Sequence, residues 1–192
     1  MWCLLLLGFF TLARKSNLVV TGKSRFCPSK QLCRGDILVG RHGLLVKYKW
    51  SKTNQFGERI LQIPVVAIAN SKLCPLAAFK NMVRLNPAEA EHPAFVIKNG
   101  RRLEPVSYAL LQKFIKDCVA TLGLDPNSFS SHSLRRGGAT WAFRSQVPGE
   151  LIKVQGDWMS DAYLKYLEFS LQQRLEVSRC MADEILQLEN EA

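Results

Sequence analysis

The sequence predicts an α+β domain, mainly helical, with a small three-stranded antiparallel sheet. Two patterns carry that expectation. Residues 36–66 alternate apolar and polar side chains with a period of two, the rhythm of strands with one buried face. Elsewhere the clear periodicities are at three and four residues, the spacing of one helix face. With 192 residues the chain is one domain, or one domain with a tail, and long enough to bury a full core.

The first element is an apolar run, Met1-Trp-Cys-Leu-Leu-Leu-Leu-Gly-Phe-Phe. It resembles the core of a signal peptide, and Thr11-Leu12-Ala13 could pass for a cleavage site. However, no basic residue precedes it, and it is too short to span a bilayer. The favoured reading is a buried helix over residues 2–20, ending near Arg14-Lys15-Ser16-Asn17. The strands follow: Asp36-Ile-Leu-Val, Leu44 to Trp50, and Arg59 to Pro64. Their turns fall at Gly40–Gly43 and at Ser51–Gly57. Pro75–Leu85 is an amphipathic helix, Pro87–Pro93 a loop, and Ala94–Ile97 a short strand. Val106–Leu122 is a further helix with a core stripe of Tyr108, Leu111, Phe114, Ile115, Cys118 and Val119, ended by Gly123. On its other face Lys113 and Lys116 are either phosphate contacts or solvated side chains.

Ser130 or Ser131 can cap the next helix. His132 and Arg135 stand three apart there and share a face, so imidazole and guanidinium can converge on one small anion. Leu134, Gly138 and Trp141 fall opposite and are expected to bury. Gly137 and Gly138 each lower helix propensity by roughly 1 kcal/mol relative to Ala, so close backbone packing should require them. Gly156-Asp157-Trp158 makes a turn. Tyr163 and Tyr166 follow on a short amphipathic segment that Ser160 can cap. Beyond them Leu167, Leu171, Leu175, Met181, Ile185 and Leu188 continue at helical spacing, a tail helix longer than the domain needs.

The net charge of +10 makes a polyanion the natural partner, and the basic residues are spread as on a folded surface. The six cysteines show no paired C-x-x-C spacing and there are three histidines, which disfavours zinc and suits reduced thiols inside a cell. No carboxylate cluster with metal-binding spacing stands near the His132 motif, so neither a metal nor another cofactor is expected.

The run HSLRRGGAT, the later GDW and the tyrosine downstream resemble the catalytic core of tyrosine recombinases, the phage-integrase family. Above all they resemble the eukaryotic Crypton and DIRS-type element recombinases. The resemblance implies the rest of a catalytic set. His132 and Arg135 fill the family's His-x-x-Arg. Trp158 takes the place of a His or Trp after a Gly-containing turn, and Tyr166, eight residues on, becomes the nucleophile, with Tyr163 the alternative. The stretch LLLLGFFTLARKSNLVV is similar to the first arginine motif, which assigns Arg14. Asn17 stands where the family has Glu, and its amide can still accept a hydrogen bond. Lys52, on the turn between the last two strands, matches the catalytic lysine. The plain readings are a solvated Lys52 and Arg14, a structural His132, and Trp158 and Tyr108 as core; the resemblance gives Tyr108 no chemistry.

The resemblance further implies a catalytic domain over 1–166 and a tail helix over 167–192, which docks on a neighbouring subunit or packs back on its own domain. The family's N-terminal helical DNA-clamping domain has no counterpart in the sequence. The implied partners are double-stranded DNA and other copies of the chain in a tetrameric synapse, with no membrane; the implied location is the nucleus. The implied reaction is DNA strand breakage and rejoining through a 3′-phosphotyrosyl link. A free tyrosine titrates near pH 10, so roughly one in a thousand is phenolate at neutral pH, and Tyr166 needs a base or a positive surround. Lys52 would protonate the leaving 5′ oxygen. The alternatives are an inactive DNA-binding remnant of a mobile element and a type IB topoisomerase-like enzyme.

Overall fold

Helix α1 (Trp2–Phe10) is apolar on nearly every side, and such a helix has to be surrounded. Cys3, Leu4, Leu6 and Leu7 are buried, and α1 is the centre of the protein. The computed structural model describes residues 1–21, 26–50, 59–100, 102–167 and 169–191. The expected single helix over 2–20 is corrected: it stops at Phe10. The Thr11 hydroxyl donates back to the Leu7 carbonyl at 2.6 Å, and Leu12 turns left-handed with φ 51°. Arg14 is extended, and a short helix α2 (Lys15–Leu18) restarts beyond it.

Strands β1 (Ile37–Val39), β2 (Gly43–Tyr48) and β3 (Leu61–Val66) form the antiparallel sheet in that order. Val46 pairs with Ile37 on one side and Ile63 on the other, so Leu44, Val46, Tyr48, Ile63 and Val65 face the core together. Pro64 donates no ladder bond, which β3 tolerates as an edge strand. Helix α3 (Pro75–Leu85) packs Phe79 into the same core. The short strand expected at 94–97 is half of a hairpin, β4 (Val96–Asn99) with β5 (Arg102–Pro105). Asn99-Gly100, with Gly100 at φ 59°, is the turn signal that identifies it.

Helix α4 (Tyr108–Thr121) is capped by Ser107 and buries Leu111, Ile115 and Val119. Cys118 is exposed, so the stripe is narrower than expected. Helix α5 (Ser131–Arg144) crosses α1, and α6 (Gly149–Gln155) leads to the turn at 156–158. A two-turn 3-10 helix spans Asp161–Tyr166. Beneath α5 a second, smaller core joins Leu12, Ala139, Ile152, Tyr163 and Leu167.

On α5 the expectation for Trp141 is corrected. Gly138 takes the position against α1, and Trp141 is turned outward with 63% of its surface exposed. Helix α7 (Leu171–Glu191) leaves Leu171, Leu175, Met181, Ile185 and Leu188 exposed. Among the described residues no helix is long and apolar enough to cross a membrane.

Candidate active site

The start of α5 is fixed by a capping box. The Ser130 hydroxyl accepts from the His132 amide at 3.2 Å, and the Ser133 hydroxyl accepts from the Ser130 amide at 3.0 Å. The Ser131 amide donates to the Gln112 side chain at 3.1 Å, tying the cap to α4. His132 is thereby presented at the helix mouth, while Arg135, one turn deeper, is only 4% exposed.

Arg135 does not float in that interior. It donates to the Leu12 carbonyl and, at 2.7 Å, to the Gly156 carbonyl. Its guanidinium lies 3.7 Å from the centre of the Trp158 ring. Burial, then the charge of Arg14, pushes it down to about 9, which leaves it cationic at neutral pH. Trp158 can take this position because residue 156 is glycine: a Cβ there would stand 1.8 Å from the indole ring.

Arg14 comes from the other end of the chain. Its guanidinium donates to the Asp157 carboxylate at 3.3 Å and to the Asp157 carbonyl at 2.9 Å. Asp157 is buried and also bonds Arg59. The Asn17 amide nitrogen donates to the Trp50 carbonyl, so the support expected for Arg14 from position 17 comes instead from Asp157. Sequence reasoning passed over Asp157 because a carboxylate next to glycine reads as a turn former.

Tyr166 closes the group. Its hydroxyl is 3.0 Å from His132 Nε2, with the two rings edge to face at 5.7 Å. Arg136 and Lys165 lie 5.6 and 5.5 Å from its ring, and Trp158 6.1 Å. Thr140 fixes its backbone, donating to the Tyr166 carbonyl at 2.6 Å. Tyr163, three residues earlier, is buried in the small core beside Gly149 and Trp158. Partial desolvation, with the charges of Arg135, Arg136, Lys165 and Lys15, holds the His132 imidazole below its ordinary value and so neutral at neutral pH. A neutral imidazole can accept the phenol proton.

Five of the six sequence-predicted residues, Arg14, His132, Arg135, Trp158 and Tyr166, therefore come together; Lys52 lies outside the described residues. A cavity of about 420 Å³ opens between Arg14, Lys15, Ser130, His132, Arg135 and Trp158, with Tyr108 on its wall. Tyr108 is half-buried, packing against the main core while lining the cavity, and the Lys15 ammonium lies 3.9 Å from its ring centre. Lys113 pairs with Asp117 at 2.6 Å on an exposed face. Among the described residues no His/Cys/Asp/Glu group is arranged to hold a metal ion.

The fold is that of a tyrosine recombinase catalytic domain. XerH site-specific recombinase bound to difH substrate, in a pre-cleavage complex, superposes with a TM-score of 0.62 at 17% identity, covering 92% of this chain and 45% of that one. Its post-cleavage complex with palindromic difH gives 0.64 at 18%, covering 92% and 44%. The chain therefore spans less than half the length of the recombinase chains it matches. No family model and no curated protein sequence matches it.

Proposed function

We propose that this chain is the catalytic part of a DNA tyrosine recombinase, related to the eukaryotic Crypton and DIRS-type elements, and that it breaks and rejoins strands by way of Tyr166. The observation that carries the reading is the 3.0 Å approach of His132 Nε2 to the Tyr166 hydroxyl, beside two buried or half-buried arginines. In the forward step the Tyr166 oxygen bonds to phosphorus and the bond from phosphorus to O5′ breaks. His132 takes the phenol proton and Lys52 gives one to the departing O5′. Arg14 and Arg135 offset the charge gathering on the non-bridging oxygens; one such donor is typically worth about 3–4 kcal/mol. Trp158 has only an indole N–H to offer and holds Arg135 in place. The phosphoester energy is kept in the tyrosyl link, so a 5′ hydroxyl can reverse the step without a nucleotide. Assembly on duplex DNA as an oligomer, with α7 reaching a neighbour, and action in the nucleus belong to the same proposal.

The test is a pool of random-sequence duplexes nicked beside the potential cleavage points, so that the short fragment bearing the freed 5′ hydroxyl diffuses away and the link is trapped. The wild type should form a covalent protein–DNA adduct that Tyr166→Phe abolishes and Tyr163→Phe retains. DNA binding without any adduct would instead mean a non-catalytic DNA-binding remnant. Relaxation of supercoiled plasmid with no recombinant product would mean a type IB topoisomerase.

A further inference from the structure

The turn Gly156-Asp157-Trp158 touches both arginines of the site. Gly156 offers its carbonyl to Arg135, Trp158 offers its ring to the same guanidinium, and Asp157 offers both a carboxylate and a carbonyl to Arg14. Two acceptors on one residue fix the guanidinium plane as well as its position. Asp157 can present both because its backbone is left-handed, with φ 53°. Arg14 needs such an anchor, because it sits in an extended link between α1 and α2, and Asn17 is committed to Trp50.

Electrostatics point the same way. Arg14 is close enough for its charge to act on the buried Arg135 guanidinium. Buried Asp157 pairs directly with Arg14 and Arg59, and its effect on Arg135 is smaller than that of burial or of Arg14 itself.

We propose that Asp157 is the positioning residue for Arg14, replacing the support that position 17 does not give, and that it keeps this guanidinium set for the scissile phosphate before DNA arrives. The inference rests on the recombinase reading above. Asp157 touches no reacting atom; it acts through Arg14, and its removal lets that guanidinium rotate away from the phosphate.

Asp157→Asn is the informative change. Asn tolerates left-handed backbone and keeps one acceptor oxygen, so it removes the charge and little else. Single-turnover adduct formation on nicked duplex at saturating protein should fall by about tenfold or more, since small misplacements of a catalytic group cost rate steeply. The dissociation constant for the same DNA should change by less than about threefold, since one contact among many sets affinity. In an Arg14→Ala background the added Asp157→Asn should change the rate by less than about twofold, because the two changes share one pathway.

Asp157→Glu keeps the charge but moves it by one methylene, and an intermediate rate is expected. It serves as the second variant if circular dichroism shows that the Asn variant does not fold. A wild-type or faster rate in the folded variant overturns the inference, as does an undiminished loss in the Arg14→Ala background. Absence of adduct in the wild type sinks the recombinase reading and the inference with it, whereas failure of the variants alone leaves that reading standing.

Discussion

Neighbouring glycines in α5 should respond in opposite directions to the same substitution. At Gly138 an added Cβ would lie 2.3 Å from the Phe9 carbonyl oxygen and 2.5 Å from a Leu12 methyl. The Leu12 side chain can rotate, but the Phe9 carbonyl is backbone, so the end of α1 has to retreat by about 1 Å to reach ordinary contact. Overpacking of this kind costs roughly 3 kcal/mol at the upper end of its usual range. Alanine returns about 1 kcal/mol of helix propensity, leaving a net loss near 2 kcal/mol. At Gly137 the new methyl would meet only the Phe9 ring, at 3.8 Å. Gly137→Ala should therefore stabilise by about 0.5–1 kcal/mol. Urea denaturation followed by far-UV circular dichroism measures both. A Gly138→Ala protein as stable as wild type, or more stable than Gly137→Ala, would refute the claim that this glycine sets the approach of α5 to α1. The same retreat draws the Leu12 carbonyl from Arg135, so adduct formation should fall in Gly138→Ala and not in Gly137→Ala.

Two further outcomes follow from the geometry. Because the acceptor form of His132 is the neutral imidazole and its pKa is held below the ordinary value, single-turnover adduct formation should rise with pH on the acid side and level off before neutrality; a rate still climbing through the usual histidine range would exclude His132 as the acceptor. In the core beside the site, the Thr11 hydroxyl bonds both the Leu7 carbonyl, at 2.6 Å, and the Tyr48 hydroxyl, at 2.8 Å. Thr11→Val strands a buried phenol and should cost about 1–3 kcal/mol, whereas Tyr48→Phe leaves Thr11 its Leu7 bond and should cost about 1 kcal/mol; the reverse order in denaturation would contradict the assignment.

What could be read from the chain beforehand was what lies close along it. His132 and Arg135 share one helix face, and Tyr166 follows Trp158 by eight residues; both relations belong to local geometry and motif. The strands at 37–66 announced themselves by alternation. The β4–β5 hairpin was missed although Asn99-Gly100 signals it, because each strand is only 4 residues long and carries little periodicity. Trp141 was misplaced because the width of a buried helix face depends on how near the neighbouring backbone comes, and Gly138 lets α1 come close enough to turn position 141 outward. Arg14 was legible from its motif, but its partner Asp157 lies 143 residues away, a distance over which no local rule operates.

Arg135 has a consequence for how the protein can be dissected. Its two carbonyl partners belong to the far ends of different helices, Leu12 just beyond α1 and Gly156 at the close of α6, so one side chain on α5 rivets those two ends together. Alanine there would empty a buried socket and unfasten two layers at once, and a dead enzyme would say nothing about phosphate. Tyr166→Phe deletes a single oxygen at the rim and leaves the rivet in place.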